Sequence, residues 1–191
     1  MRTRGFSRSI AAGVCVLLLG CLALPDPSHA ADALTIDQSV NKILANFKEK
    51  HQGGTEALKE AKGVLVFPEI VQAGFVVGGS YGEGALRIKG TSVAYYSIGS
   101  GSFGLIAGAQ AKAVVILFMT QPPLTEFRRD ARTDKSWQVG LNGDITAVNV
   151  GAAGAISSAQ LNRPIVSFTQ DQKGLMVNLS LQGAKITRIN R

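Results

Sequence analysis

Cysteine is almost missing from this 191-residue chain: Cys15 and Cys21 are the only two, and nothing after position 21 can form a disulfide. Histidine is as scarce, with His29 and His51 alone. One histidine beyond residue 30 and no cysteine there cannot make a structural zinc site. Charged residues are 17% of the chain, below the ~25% of ordinary soluble domains. Together with a slightly positive mean hydropathy, this excludes extensive disorder. No sustained heptad pattern runs through the chain, so a coiled coil is excluded. Aromatics make up only 6%, while glycine is abundant at 22 residues. That balance argues against a large helical bundle and for many tight backbone turns.

The N-terminal stretch reads as an export signal. Arg2, Arg4 and Arg8 precede an apolar run over 10–24, a basic segment and hydrophobic segment too short for a comfortable membrane span. Two exits are written into it. Ser28-His29-Ala30 before Ala31 places small residues where signal peptidase reads them, after a proline-containing stretch. Leu18-Leu19-Gly20-Cys21 resembles a lipobox, which would leave Cys21 diacylated as the new N-terminus. Either route exports the chain, to a periplasmic or extracellular location, with membrane anchoring if Cys21 is used. The expected division is a signal peptide over 1–30 and a single domain over 31–191. Removing Arg2, Arg4, Arg8 and Asp26 leaves 17 Lys+Arg against 12 Asp+Glu, a net charge of +5. A domain of that size buries about 70% of its unfolded surface and needs no covalent staples.

Residues 35–50 have helical periodicity, with Ile36, Val40, Ile43, Leu44 and Phe47 on one face and Asp37, Lys42, Lys48 and Glu49 opposite. Gly53-Gly54 ends that helix, and 55–62 reads as a shorter one. Short apolar runs follow at 64–67, 74–77, 93–98, 114–119, 146–150, 165–168 and 175–181, separated by Gly, Pro or Asn. Val177, Leu179 and Leu181 alternate with polar residues, as in a half-buried antiparallel strand. A polar insert at 121–136 interrupts the pattern, and its 124–131 portion can form one or two helical turns. The expected fold is α+β: mostly antiparallel β, sandwich- or barrel-like, with one or two N-terminal helices.

Two motifs invite an enzymatic reading and fail on context. Gly99-Ser100-Gly101-Ser102-Phe103-Gly104 fits the dinucleotide fingerprint, but Gly108 interrupts the helix that should follow and no acid ends the next apolar run. Glycines at a sheet turn or bulge explain it better. Gly78-Gly79-Ser80-Tyr81-Gly82 fits a nucleophile elbow. The base should then follow the serine, yet His51 precedes it and reads as a solvated residue near a helix C-terminus. The acids are scattered singly, without calcium-loop spacing. No catalytic residue, metal site or cofactor is expected.

What remains is basic. Lys42, Lys48, Lys50, Lys59 and Lys62 decorate the first two helices, and Arg128, Arg129, Arg132 and Lys135 crowd the polar insert. These charges are either a solvated face interleaved with Glu49, Glu56, Glu60, Asp130 and Asp134, or an attachment surface for anionic lipid headgroups. Nucleic acid is not expected, since export removes it and no aromatic–basic repeats occur.

Three ordered blocks carry a family resemblance. They are Ala61-Lys62-Gly63-Val64-Leu65-Val66-Phe67-Pro68 with Ala73-Gly74-Phe75-Val76-Val77-Gly78-Gly79 and Gly82-Glu83-Gly84; the glycine segment over 97–108; and Lys173-Gly174-Leu175-Met176-Val177-Asn178-Leu179-Ser180-Leu181-Gln182-Gly183. From about Ser39 to Ile189 the chain resembles the SYLF domain. Eukaryotic SYLF domains are described as phosphoinositide-binding and, in some members, actin-binding modules, with an N-terminal amphipathic helix important for membrane contact. The resemblance implies a non-enzymatic domain that meets lipid or a membrane surface. Two blocks depart from the family pattern: Ser92-Val93-Ala94-Tyr95-Tyr96 stands where Trp-Ser-x-Pro is usual, and Gly151-Ala152-Ala153-Gly154 replaces Gly-Pro-x-Gly. An exported chain meets neither cytosolic actin nor phosphoinositides, so fold transfers further than ligand.

The expected contact set for anionic membrane lipid is Lys42, Phe47, Lys48, Lys50, Lys59, Lys62, Arg128, Arg129 and Arg132, with Cys21 as a possible acyl anchor. The competing readings are an envelope interaction protein without specific lipid binding and an unrecognised hydrolase. Intact mass of the processed protein separates the two exits. A start at Ala31 with no added mass ends the lipoprotein route; Cys21→Ser that loses membrane partitioning and accumulates uncleaved precursor ends the soluble one.

Overall fold

The structure is a computed structural model that describes residues 32–74, 77–103, 110–148, 155–171 and 180–191. Helix α1 (Ala33–Lys50) begins where the Asp32 carboxylate accepts the Thr35 backbone N–H at 2.7 Å, an N-cap that holds the carboxyl below its ordinary range. Lys48 and Lys50 lie in its last turn, where cations complement the helix dipole. Gly53, left-handed at φ 84°, turns the chain into the short helix α2 (Gly54–Glu60).

An eight-stranded sheet follows. In chain order its strands are β1 (Gly63–Gly74), β2 (Val77–Ile88), β3 (Thr91–Phe103), β4 (Gln110–Phe118), β5 (Ser136–Gln138), β6 (Thr146–Ala147), β7 (Ile165–Gln170) and β8 (Lys185–Ile189). Helix α3 (Gln121–Asp130) sits between β4 and β5, and α4 (Ser158–Leu161) between β6 and β7. The spatial order is β5-β8-β3-β2-β1-β4-β7-β6, antiparallel throughout except for the β6–β7 pair. The sheet curls into a half-barrel, the α+β architecture read from the sequence.

Both faces of this sheet are buried. Val64, Val66, Val115, Leu117, Val166 and Phe168 point to one side, where Ile36, Val40 and Phe47 of α1 and Ala57 of α2 cover them. Leu65, Phe67, Val114, Ile116 and Phe118 point to the other, beneath Leu124 and Phe127 of α3, with Trp137 and Ile186. That is why 113–118 reads as an unbroken apolar run rather than an alternation. Phe127 lies 5.0–5.4 Å from the rings of Tyr96, Phe118 and Trp137. The segment read as a polar insert thus contributes the lid of one core.

The β1–β2 pairing shifts register between Val66 and Glu69, and Pro68, which has no N–H to offer a ladder, occupies the bulge. Opposite it stand Gly82 and Gly84. A Cβ on Gly84 would lie 2.0 Å from the Val66 carbonyl oxygen, so only glycine allows the two strands to close there. Two of the fingerprint glycines are strand residues: Gly99 pairs with Tyr81 and Gly101 with Gly79, inside β3, while Gly104 and the rest of that segment to 108 lie outside the described residues. Ser80 lies within β2, its hydroxyl 2.8 Å from that of Ser100, not at a strand-to-helix turn.

Several expected boundaries move. The run 74–77 straddles the junction of β1 and β2, with 75–76 outside the described residues; 146–150 contributes a two-residue strand, with 149–150 outside them. The alternating segment 175–181 lies outside them up to residue 179, as do 1–31 and the block 151–154. Among the described residues no helix is long and apolar enough to cross a membrane.

Phe47 is 0% exposed and makes an edge contact with Phe168 at 5.2 Å. Phe47→Ala should therefore cost about 3–5 kcal/mol, read from denaturant unfolding. A loss below 1 kcal/mol would show that α1 does not hold this core.

Candidate functional site

A basic groove of about 330 Å³ opens where the end of α1, α2 and the β2–β3 turn meet. Its floor is apolar: Leu44, Leu58, Ala61 and Val64. Around that floor stand Lys48, Lys59, Arg87 and Lys89, and among the described residues no carboxylate lines it. Lys48, Lys59 and Lys89 enter no ion pair among the described residues.

The rim is built by a tight turn. Lys89 and Gly90 both have positive φ, 51° and 84°, the conformation that joins strands with a right-handed twist. Lys89 is the one non-glycine residue at positive φ among those described. Asn or Gly is the easy choice at such a position; here a long cation stands there and lines the groove.

Beside the groove a polar lock holds α1 to the sheet. Asp37 accepts the Ser92 hydroxyl at 2.6 Å and the Tyr95 phenol at 3.0 Å. Burial, and then that hydrogen bond to a carboxylate, push the Tyr95 phenol above its ordinary value. Arg87 donates to Asn41 Oδ1 at 2.6 Å, to the Asp37 carbonyl at 3.3 Å and to Ser92 Oγ at 3.3 Å, and its Nη2 lies 3.7 Å from Asp37 Oδ1. Arg87 is thereby oriented and its charge balanced. The uncompensated positive charge of the groove resides on the three lysines.

The expected contact residues do not converge. Lys48 and Lys59 enter this groove; Lys42 lines a different one on the other flank of α1, and Lys62 a third beside Arg163. Lys50 is exposed at the end of α1. Arg128, Arg129 and Arg132 are exposed on and just after α3, across the sheet from α1, with Arg129 paired to Asp130 at 2.7 Å and Arg132 to Asp134 at 3.9 Å. One flat surface cannot touch both groups.

Phe47 needs a correction: it is core, not surface, because covering the Val66, Val166 and Phe168 side of the sheet requires the widest residue on the helix stripe. His51 needs another. It is 4% exposed with its ring 5.4 Å from Phe47, because Gln52 bridges to Ala155 and brings 155–156 alongside it. Arg87 and Lys89 were missed by sequence reasoning. Lys89-Gly90 between two strand-like runs is a hairpin signal that would have found Lys89; Arg87 had no such signal. Among the described residues no group of three or more His, Cys, Asp or Glu could hold a metal.

A family model described as Ysc84, Las17-binding protein actin regulator, matches residues 99–190, from the middle of β3 past the end of β8. It is a binding and regulatory domain family rather than an enzyme family. No curated protein matches the chain.

The lock carries its own test. Asp37→Ala removes an ionised acceptor for two hydroxyls and strands Arg87, so unfolding stability should fall by about 2–4 kcal/mol in urea titration. A change within 0.5 kcal/mol of zero, on the order of a neutral surface substitution, would mean that α1 is held by its apolar stripe alone.

Proposed function

From the premise that residues 99–190 belong to the Ysc84 (SYLF) family, we propose that this chain is a non-enzymatic domain that binds anionic lipid headgroups in the groove bounded by Lys48, Lys59 and Lys89. The observation that carries the reading is the pairing of an apolar floor with a ring of cations that holds no acid among the described residues. A phosphate is drawn to the ammonium groups, and the adjoining glycerol and first methylenes cover Leu44, Leu58 and Val64. Arg87, held by Asp37 and Asn41, also lines the groove. The amphipathic helix contributes by its solvent flank, since its apolar stripe is occupied by the core.

Each lysine near an anionic surface contributes about 1 kcal/mol. Three of them give a weak, reversible attachment that salt screens. Export of the chain, supported by the basic and then apolar N-terminal stretch, would set this contact at an envelope membrane. Acylation at Cys21 would tether the domain so that a weak contact acts at high local concentration.

Co-sedimentation of the full chain with vesicles tests the reading. Binding should require phosphatidylglycerol in a phosphatidylcholine background and fade between low and high salt. Replacing Lys48, Lys59 and Lys89 together with Ala should weaken partitioning roughly 100-fold, from three contributions of about 1 kcal/mol. Replacing Arg128, Arg129 and Arg132 should change it little. Vesicle binding that survives the lysine triple variant overturns the groove; absence of binding at low salt leaves the envelope interaction protein as the better account.

A further inference from the structure

On the opposite flank of α1 lies a second groove of about 410 Å³, between the helix, the β1 bulge and the adjoining ends of β4 and β7. Its chemistry differs from that of the basic groove. Lys42 and Lys112 line it, but so do Glu69 and Asp171, with Ser39 and Asn46 from the helix. Lys42, Lys112 and Glu69 enter no ion pair among the described residues. Lys42, Lys112 and Glu69 thus bring opposite charges to one cleft without an ion pair between them.

Gln170 is the decisive residue. It lines this groove, it is 0% exposed, and neither its side-chain nitrogen nor its side-chain oxygen has a hydrogen-bond partner among the described residues. Buried amides are almost always satisfied, so an orphaned one demands an explanation. Its register is set by Ala113 across the β4–β7 ladder, and among the described residues no neighbouring polar side chain reaches it. A ligand seated in the groove would supply both missing partners after a side-chain rotation.

We propose that this groove binds a zwitterion in which a phosphate is joined to a primary ammonium, the phosphoethanolamine class. Lys42 and Lys112 supply cations for the phosphate, and the Gln170 nitrogen a neutral donor. Glu69 and the Gln170 oxygen accept from the ammonium N–H groups. A quaternary ammonium has no N–H to donate, and among the described residues no aromatic side chain lines the groove to cradle it by cation–π attraction, so the choline analogue is rejected. The same chemistry comes from the free headgroup or from a phospholipid. Only the lipid-borne source rests on the reading given under Proposed function.

Titration of the full chain followed by amide NMR tests the groove without any membrane. O-phosphoethanolamine should bind at millimolar concentration, and phosphocholine at least tenfold more weakly. Gln170→Leu should retain the fold, with a melting temperature equal to or above that of the parent, and lose the headgroup at least tenfold. Glu69→Gln, at an exposed position, should weaken it at least fivefold and carries the test if the Gln170 variant does not fold. Equal binding of the two headgroups overturns the proposal, as does unchanged affinity in Glu69→Gln, or glucose competing as well as O-phosphoethanolamine. A Gln170→Leu variant that melts lower but binds normally does the same, since its amide would then be structural. Vesicles of phosphatidylethanolamine against phosphatidylcholine then identify the source: preference for the former marks a lipid ligand, and none marks the free zwitterion. Soluble-headgroup binding that persists when vesicle binding fails would sink the lipid reading and not this one.

Discussion

Burial of one stripe of α1 against the sheet determines where every polar flank of that helix faces. Ile36, Val40 and Phe47 occupy the stripe, and Phe47 reaches Phe168 on β7. Once these are inside, Ser39, Lys42 and Asn46 must border one cleft, and Leu44 and Lys48 another. The helix is thus a ridge between two grooves of unlike charge. Asp37 adds direction to what apolar packing alone would leave loose, because a carboxylate that accepts from Ser92 and Tyr95 tolerates little sliding. Apolar contact holds the helix down; the polar lock sets its register.

A bulge in β1 shapes the sheet beneath. Pro68 breaks the ladder of β1, and the bulge brings the Val66 carbonyl against β2 closely enough that Gly84 has no room for a side chain. Glycine in a strand costs roughly 0.5–1 kcal/mol relative to alanine. Here that cost is offset by closure of β1 on β2 over a core that includes Phe67. The bulge also presents Pro68 and Glu69 to the second groove, so the device that curls the sheet builds part of a binding wall.

The glycine motifs illustrate why a short pattern misleads without its surroundings. Gly99 and Gly101 match a phosphate-cradling fingerprint letter for letter, yet both pair with β2 residues in mid-strand. Ser80 matches a nucleophile elbow and instead faces another serine across the ladder. A fingerprint works only at a strand-to-helix turn, where backbone N–H groups are free. In an antiparallel ladder those groups are already spent on the neighbouring strand.

By itself the sequence determined the class of fold, the front helix and most of the strands, because these depend on periodicity and on local backbone preference; the family match over 99–190 rests instead on ordered glycine-rich blocks. Ile36, Val40 and Phe47 recur at helical spacing whatever they pack against, and 113–118 is apolar enough to announce a strand covered on both sides. Charge gave no such guidance. Lys42 and Lys48 lie on one helix, and Arg128 and Arg129 on another, with nothing local to say which share a surface. Only the tertiary structure decided that Lys48 joins Lys59 and Lys89, that Lys42 joins Lys112, and that the arginines of α3 stand across the sheet. The reason is physical: apolar burial is written along each element, whereas the grouping of solvated charges depends on how separate elements are brought together, and Gln170 became conspicuous only once its neighbours were known to leave its amide unmatched.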